Sequence, residues 1–195
     1  MKNSNNMKLK RIIFIAVLLV FLLNSCTNKN IELKTKSESQ ELNQVFQVKS
    51  QLKVGDEPYD FTVVTTEGKA VRLHDFIQKK KPIIVYFMAT WCPYCAQDYT
   101  ALSKVYKNYE DKVPILSISL DLNEDLNILR EYKKRYPELQ KVMFAAGQTE
   151  VLVNYRITKT TTKYAVGRDG KIIYIGSGAF NEEQWKTLLN ALTKK

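Results

Sequence analysis

The feature that most constrains the fold is a pair of cysteines where an apolar strand meets a helix. Residues 83–88 form an unbroken apolar run, which predicts a strand buried on both faces. A helical pattern begins at Tyr94, and Trp91-Cys92-Pro93-Tyr94-Cys95 joins the two. Pro93 suits the first helical position, because an N–H there has no partner within the helix. The sequence therefore predicts a strand–turn–helix unit with both sulfurs on the first helical turn.

This position predicts redox chemistry for the two thiols. Unpaired N–H groups and the positive end of the helix dipole favour the thiolate of Cys92. Cys92 would attack a disulfide, and Cys95 would resolve the mixed disulfide; the reverse steps would oxidise a dithiol. Trp91 can pack beside the sulfur and limit access to it. An inert local disulfide or a pair of buried, unreactive thiols is the alternative that the motif leaves open.

The periodicity of the remaining sequence predicts an α/β domain over residues 51–195, with a mixed central sheet flanked by helices and an N-terminal β-hairpin extension. The hairpin is predicted over residues 59–73, turning at Glu67-Gly68. The other predicted strands are 83–88, 113–120, 142–145, 163–166 and 172–175, and the predicted helices are 94–109, 123–136, 149–155 and 182–192.

The amino terminus has the pattern of an export signal. Residues 1–11 are polar and basic, and residues 12–23 are apolar, too short a run to span a bilayer comfortably. Leu23-Asn24-Ser25-Cys26 resembles the bacterial lipobox, in which the cysteine is lipidated and becomes the new amino terminus. We expect a signal peptide over 1–25, a flexible tether over 26–50 after lipidated Cys26, and a location outside the cytoplasm on the periplasmic side or the cell surface. An uncleaved or non-lipidated signal is the alternative.

Cysteine count and charge restrict the other function classes. The chain has three cysteines, so lipidation of Cys26 leaves only Cys92 and Cys95, a number suited to chemistry and not to a scaffold. The one histidine, His74, is distant and reads as a surface or turn residue, so we predict no metal site. The net charge of +10 includes four positive charges in the signal segment. The remaining excess is typical of a solvated surface, and we expect no nucleic-acid partner.

Motifs spread from about residue 54 to the carboxyl terminus carry a family resemblance. They are Asp60-Phe61, Gly68-Lys69, Leu73-His74-Asp75-Phe76, residues 81–87, residues 89–95, Tyr155-Arg156-Ile157 and residues 166–172. With these motifs the chain resembles the TlpA-like branch of membrane-anchored bacterial thioredoxin-like oxidoreductases. The resemblance implies a thioredoxin fold, Cys92 as nucleophile and Cys95 as resolving cysteine. It also implies client proteins with disulfides outside the cytoplasm and a membrane electron donor. We expect no cofactor.

Thr161 departs from this family pattern. It stands where the family places a cis-proline opposite the cysteines, and the chain has no proline after Pro137. A cis bond before a non-proline residue costs about 2.5–4 kcal/mol, so we predict a trans or strained Thr160–Thr161 bond. Because the family uses this loop to pair with clients and shield the sulfurs, client choice and metal exclusion are open. An iron–sulfur cluster shared between two chains is one alternative.

Three further departures concern the active-site helix and its proton acceptor. Thr100 replaces a helix-kinking proline, which predicts a straighter helix. Tyr86 occupies the position of a buried aspartate in thioredoxins, which leaves the proton acceptor of Cys95 unassigned. Asp98 stands where many TlpA-like proteins have glutamate, one helical turn after Cys95. It could assist Cys95 through water, or it could be a solvated helix carboxylate.

Three other functions compete with disulfide reduction. A thiol oxidase or isomerase would use the same two cysteines, and Pro93-Tyr94 between them is a glutaredoxin-type pair. A thiol peroxidase needs a threonine three residues before its cysteine, where this chain has Ala89. A metal-binding or copper-delivery module uses a Cys-x-x-x-Cys spacing with a distant histidine, and the spacing here is one residue shorter.

Overall fold

The computed structural model describes residues 51–194, whose elements alternate between strands and helices. The strands are β1 (Thr62–Val64), β2 (Ala70–Arg72), β3 (Ile83–Met88), β4 (Ile115–Ser119), β5 (Met143–Ala145), β6 (Thr162–Val166) and β7 (Ile172–Gly176). The helices are α1 (Leu73–Gln78), α2 (Pro93–Ser103), α3 (Leu126–Lys133), α4 (Thr149–Asn154) and α5 (Glu182–Thr193), with short 3₁₀ turns at Tyr106–Asn108 and Pro137–Leu139.

Five strands form the central sheet in the order β5-β4-β3-β6-β7. Strands β3, β4 and β5 are parallel, whereas β6 is antiparallel to β3, and β7 is antiparallel to β6. All six residues of β3 are buried, as its unbroken apolar run predicts for a strand covered on both faces. The predicted α/β fold with a mixed sheet flanked by helices is therefore confirmed.

The two faces of the sheet have different cores. Because side chains alternate along a strand, β3 sends Tyr86 to one core and Phe87 to the other. We call the face covered by α2, α3 and α5 the thiol face, because Cys92 and Cys95 belong to its core. The opposite face is covered by the β1–β2 pair, α1 and α4.

The segment before β3 differs in detail from the sequence prediction. β1 and β2 pair as an antiparallel hairpin, but the residues after Arg72 form α1, where the sequence predicted only strand and turn. The helical signal was present, because Leu73, Phe76 and Ile77 recur at helical spacing and all contact the opposite core. Asp60 accepts hydrogen bonds from Arg72 and from the His74 backbone N–H, which fixes the start of this helix.

The same segment touches both edges of the sheet. Thr65 bridges to Ala145 of β5, one outer strand. At the other outer strand, the Gly55 N–H donates to the Ile172 carbonyl, and the Ile172 N–H donates to the Asp56 carbonyl.

Helices α2 and α3 are shorter than predicted, whereas α5 has nearly the predicted bounds. α2 stops at Ser103 and gives way to the first 3₁₀ turn, and α3 begins only after its cap, Asp125. α5 begins at the predicted cap, Asn181, which forms a capping box with Gln184.

The predicted signal peptide over 1–25, the lipidation site Cys26 and the tether over 26–50 lie outside the described residues. Within residues 51–194, no helix has the length and apolar character needed to cross a bilayer.

Candidate redox site

The start of α2 brings the two cysteines together. Cys92 is the N-cap of the helix, and its sulfur accepts a hydrogen bond of 3.2 Å from the backbone N–H of Cys95. Both cysteines are free thiols and both are buried, Cys92 being 3% exposed and Cys95 0%. The Cys92 sulfur therefore lies at the start of the helix, where the sequence predicted it.

Asp98 lies in the protein interior, so its interpretation as a solvated helix carboxylate is wrong. Its side chain is 0% exposed, and Oδ2 accepts a hydrogen bond of 3.0 Å from the Tyr86 hydroxyl. Oδ1 accepts one of 2.8 Å from the Phe180 backbone N–H. The helix turn that separates Asp98 from Cys95 points both side chains toward the core, and this explains the burial.

Lys163 is the partner of Asp98, and the sequence analysis missed it. Its Nζ lies 2.6 Å from Asp98 Oδ2, and both side chains are 0% exposed. In the β3–β6 register Lys163 stands directly opposite Tyr86, so both side chains share the thiol face. A lysine inside an otherwise apolar strand was the available signal, because a buried charge needs a partner.

Burial shifts the acidity of this cluster. It raises the pKa of Cys95 to about 12, and the interaction with the Tyr86 hydroxyl opposes that shift. Burial also raises the pKa of Asp98 and lowers the pKa of Lys163, while the attraction between the two charges opposes both shifts. The resolving thiol therefore needs help to lose its proton, and the Tyr86 hydroxyl connects it to the Asp98 carboxylate.

The loop before β6 lies against the nucleophile. The Thr160 hydroxyl oxygen is 3.2 Å from the Cys92 sulfur. No peptide bond within residues 51–194 is cis, so the Thr160–Thr161 bond is trans, one of the two states that the sequence predicted. Thr161 has φ of +62°, a left-handed conformation that is strained for a β-branched residue. The loop therefore reaches Cys92 without the proline of the family pattern.

A shallow groove lies between the active-site turn and the Thr160–Thr161 loop. Trp91 and Tyr94 are 62% and 60% exposed, although both are large apolar side chains. The Trp91 indole N–H donates to Asp121 Oδ2 at 2.9 Å, so the predicted role of Trp91 in covering the sulfur stays a prediction. The groove is lined by Trp91, Tyr94, Leu120, Lys159, Thr160 and Ser177.

A buried glutamate holds the turn before Cys92, and no pattern in the sequence indicated it. Glu124 Oε1 accepts hydrogen bonds from the backbone N–H and the hydroxyl of Thr90, at 2.8 and 2.6 Å. Its other oxygen accepts one of 2.6 Å from the Ser119 hydroxyl at the end of β4. This carboxylate ties the active-site turn to the neighbouring strand.

Comparison with known proteins agrees with this geometry. The sequence profile of the AhpC/TSA family matches residues 54–175. The chain belongs to the AhpC/TSA family. The thiol-disulfide oxidoreductase ResA of Bacillus cereus is 28% identical to it over 148 residues, covering 76% of this chain and 83% of that protein.

Solved structures share the fold of this AhpC/TSA member. A putative thiol:disulfide interchange protein DsbE from Chlorobium tepidum has a TM-score of 0.63 at 19% identity, covering 74% of this chain and 100% of that one. A putative protein disulfide isomerase from Bacteroides thetaiotaomicron has a TM-score of 0.61 at 21% identity, covering 74% and 92%. The fold is thioredoxin-like, and the chain is an oxidoreductase, as the sequence predicted.

Proposed function

We propose that this oxidoreductase reduces disulfides of client proteins through Cys92 and Cys95 while tethered to a bacterial membrane outside the cytoplasm. The observation that carries the proposal is the pair of free thiols at the start of α2, with the Cys95 N–H donating to the Cys92 sulfur. ResA supports the same chemistry by its name, thiol-disulfide oxidoreductase.

The reaction begins at Cys92. Its thiolate attacks one sulfur of the client disulfide, forming a Cys92–client mixed disulfide and releasing the other client sulfur as a thiolate, which takes up a proton. The groove beside Cys92 is open to an extended client segment, and the exposed rings of Trp91 and Tyr94 offer it apolar contacts.

Cys95 completes the transfer. It loses its proton, attacks the Cys92 sulfur and forms the Cys92–Cys95 disulfide, while the second client sulfur leaves as a thiolate. Asp98 is the proton acceptor in this proposal. The Tyr86 hydroxyl, which interacts with Cys95 and donates to Asp98 Oδ2, passes its proton to the carboxylate and takes up the proton that Cys95 loses. Two electrons pass to the client, and a dithiol of a membrane electron donor restores them.

Trapping tests the exchange. In Cys95→Ala, clients attacked by Cys92 remain as mixed disulfides that can be isolated and then released by dithiothreitol. The double variant Cys92→Ser/Cys95→Ala is the matched control and traps nothing. Absence of trapped proteins, while Cys92 still reacts readily with iodoacetamide, contradicts client exchange.

The direction of exchange is tested by the reduction potential of the Cys92–Cys95 pair. A value below about −220 mV supports reduction of clients, whereas a value near −120 mV supports the alternative, thiol oxidation. Equilibration with glutathione or dithiothreitol buffers measures it directly.

The tether is tested separately. Lipidation at Cys26 of the lipobox-like Leu23-Asn24-Ser25-Cys26 makes the protein membrane-bound and labelled by a radioactive fatty acid. Cys26→Ala should lose both the label and the membrane fraction, while the purified variant keeps the thiol chemistry of Cys92. A labelled Cys26→Ala protein contradicts the anchor.

A further inference from the structure

The ammonium of Lys163 joins three segments of the active site. It donates to Asp98 Oδ2 on α2 at 2.6 Å, to the Thr161 carbonyl at 3.1 Å and to the Gly178 carbonyl at 2.9 Å. Its three N–H bonds therefore each have an acceptor. The three acceptors belong to the helix of the cysteines, the loop beside Cys92 and the loop after β7.

Aromatic rings enclose the same ammonium. Lys163 Nζ lies 4.4 Å from the ring centroid of Phe180, 4.8 Å from that of Tyr86 and 5.3 Å from that of Trp185. At these distances the faces of aromatic rings attract a cation. Three hydrogen bonds, one of them to a carboxylate, and three rings together stabilise the charged form in a site from which water is excluded.

The loop contact has a consequence for Cys92. Thr161 holds a left-handed backbone conformation, with φ of +62°. Two contacts hold it there, because its carbonyl accepts from Lys163 and its hydroxyl accepts from the Gly178 N–H at 2.9 Å. Thr160, the preceding residue, places its hydroxyl 3.2 Å from the Cys92 sulfur.

We propose that Lys163 is a positioning residue that acts on both cysteines. It keeps the Asp98 carboxylate, which accepts from the Tyr86 hydroxyl, in its ionised form, and it fixes the Thr160–Thr161 loop beside Cys92. The proposal rests on the proposed function of the dithiol. The buried ammonium therefore supports both the proton acceptor, Asp98, and the loop that covers the nucleophile, Cys92.

Within residues 51–194, the ionisable groups that interact with Asp98 include one cation, which opposes the effect of its burial. Tyr86 from β3 donates to Asp98, and burial and the negative charge of Asp98 both raise the pKa of Tyr174 from β7. Tyr99 and Cys95 lie on the same helix as Asp98. Lys163 from β6 is the cation that lowers the pKa of Asp98 against the effect of burial. Removing this charge raises that pKa further, so at a given pH a smaller fraction of the carboxyl is ionised and able to accept the proton of Cys95.

The test uses 5,5′-dithiobis(2-nitrobenzoate) as the disulfide probe in stopped flow. Cys92 attacks it and releases one nitrothiobenzoate, and Cys95 then attacks the Cys92 mixed disulfide and releases a second. The second release isolates the resolving step. For Lys163→Met we expect this step to slow about tenfold or more at pH 7 and its pH profile to move to higher pH by about one unit, since one pKa unit is a tenfold change in the ionised fraction.

The matched control is Lys133→Met. Lys133 is also nearly buried, at 10% side-chain exposure, and pairs with Glu67 at 2.7 Å, but it lies on α3. This variant should lose stability while its second release keeps the wild-type pH profile. A Lys163→Met profile that matches the wild type and the control overturns the proposal, and a protein that never releases a second nitrothiobenzoate overturns the proposed function instead.

The loop contact has its own readout in the Cys95→Ala background. Adding Lys163→Met should make Cys92 react faster with iodoacetamide, because the loop beside its sulfur is released. An unchanged rate overturns the loop part of the proposal.

A measurement on the wild type keeps the proposal falsifiable if Lys163→Met does not fold. ¹³C NMR of Lys163 Cε and Asp98 Cγ should show a charged ammonium and an ionised carboxylate at pH 7. A neutral amine facing a protonated carboxyl at this pH contradicts the role of the ion pair.

Discussion

Tyr86 on the thiol face uses its hydroxyl differently from Tyr155 and Tyr164 on the opposite face. On the opposite face, Tyr155 donates to the Tyr59 carbonyl and Tyr164 donates to the Tyr155 carbonyl. On the thiol face, Tyr86 donates to the carboxylate of Asp98, which is paired with Lys163. Hydroxyls bound to main-chain carbonyls hold a fold together, whereas a hydroxyl bound to an ionisable side chain can also move a proton. The difference locates the chemistry on one side of a sheet that is buried on both.

Alkaline pH should produce the largest effect, because it affects both faces. Burial raises the pKa of tyrosines on both faces of the sheet, so above pH about 10 the unfolded chain loses protons that the folded chain retains. The free energy of unfolding therefore falls as pH rises, and we expect complete unfolding before pH about 12. These residues are Tyr86, Tyr99, Tyr106 and Tyr132 on the thiol face and Tyr155 and Tyr164 on the opposite face.

Absorbance at 295 nm and circular dichroism at 222 nm measure this transition together. The buried tyrosines should ionise only as the helices unfold, so the two signals should change in the same pH range. Full tyrosine ionisation with unchanged dichroism would contradict the burial of these side chains.

Phe87→Ala should destabilise the fold without altering the chemistry. Phe87 is 0% exposed on the opposite face, with its ring centroid 5.7 Å from that of Tyr155. We expect a loss of about 3–5 kcal/mol in the free energy of unfolding, measured by urea titration. The folded fraction should release the second nitrothiobenzoate at the wild-type rate. A slower release would show that the opposite face also affects the chemistry of Cys95.

Removing one hydroxyl from each face compares the two roles directly. Tyr155→Phe and Tyr86→Phe each delete one buried hydrogen bond, and each should cost about 1–2 kcal/mol of stability. Tyr86→Phe alone should also slow the resolving step of Cys95, because the connection to Asp98 is lost. Equal pH profiles for the two variants would show that the Tyr86 hydroxyl is structural only.

Lys104→Met should have the smallest effect. Lys104 pairs with Glu182 at 2.8 Å across α2 and α5, but both side chains are largely exposed. Water and salt screen such a pair, so we expect a change in melting temperature of less than about 2 °C by calorimetry. A larger shift, or a shift in the pH profile of Cys95, would mean that charge pairs matter on the surface as much as inside the thiol face.

The sequence predicted the parts of the site that depend on local pattern. The apolar run of β3, Pro93 at the first helical position and the two-residue cysteine spacing each specify their own neighbourhood, and the structure has all three as expected. It also identified Asp98 as a candidate partner for Cys95, although not its burial.

The parts that were missed depend on register between distant segments. Lys163 meets Asp98 across 65 residues of chain, and they meet only because β6 pairs with β3 so that Lys163 faces Tyr86. Shifting that register by one residue would turn Lys163 to the opposite face. Glu124 was missed for the same reason, because its contact with Thr90 joins the end of one strand to the turn after another.

The contacts of Gly55, Asp56 and Thr65 with the outer strands also affect behaviour at high concentration. An uncovered outer strand offers unpaired N–H and carbonyl groups to a second molecule, and sheets can then grow by adding strands. Here one short stretch of chain occupies part of β7 through Ile172 and part of β5 through Ala145. A neighbouring copy would have to displace it before it could add a strand at these positions, which disfavours aggregation in concentrated solution.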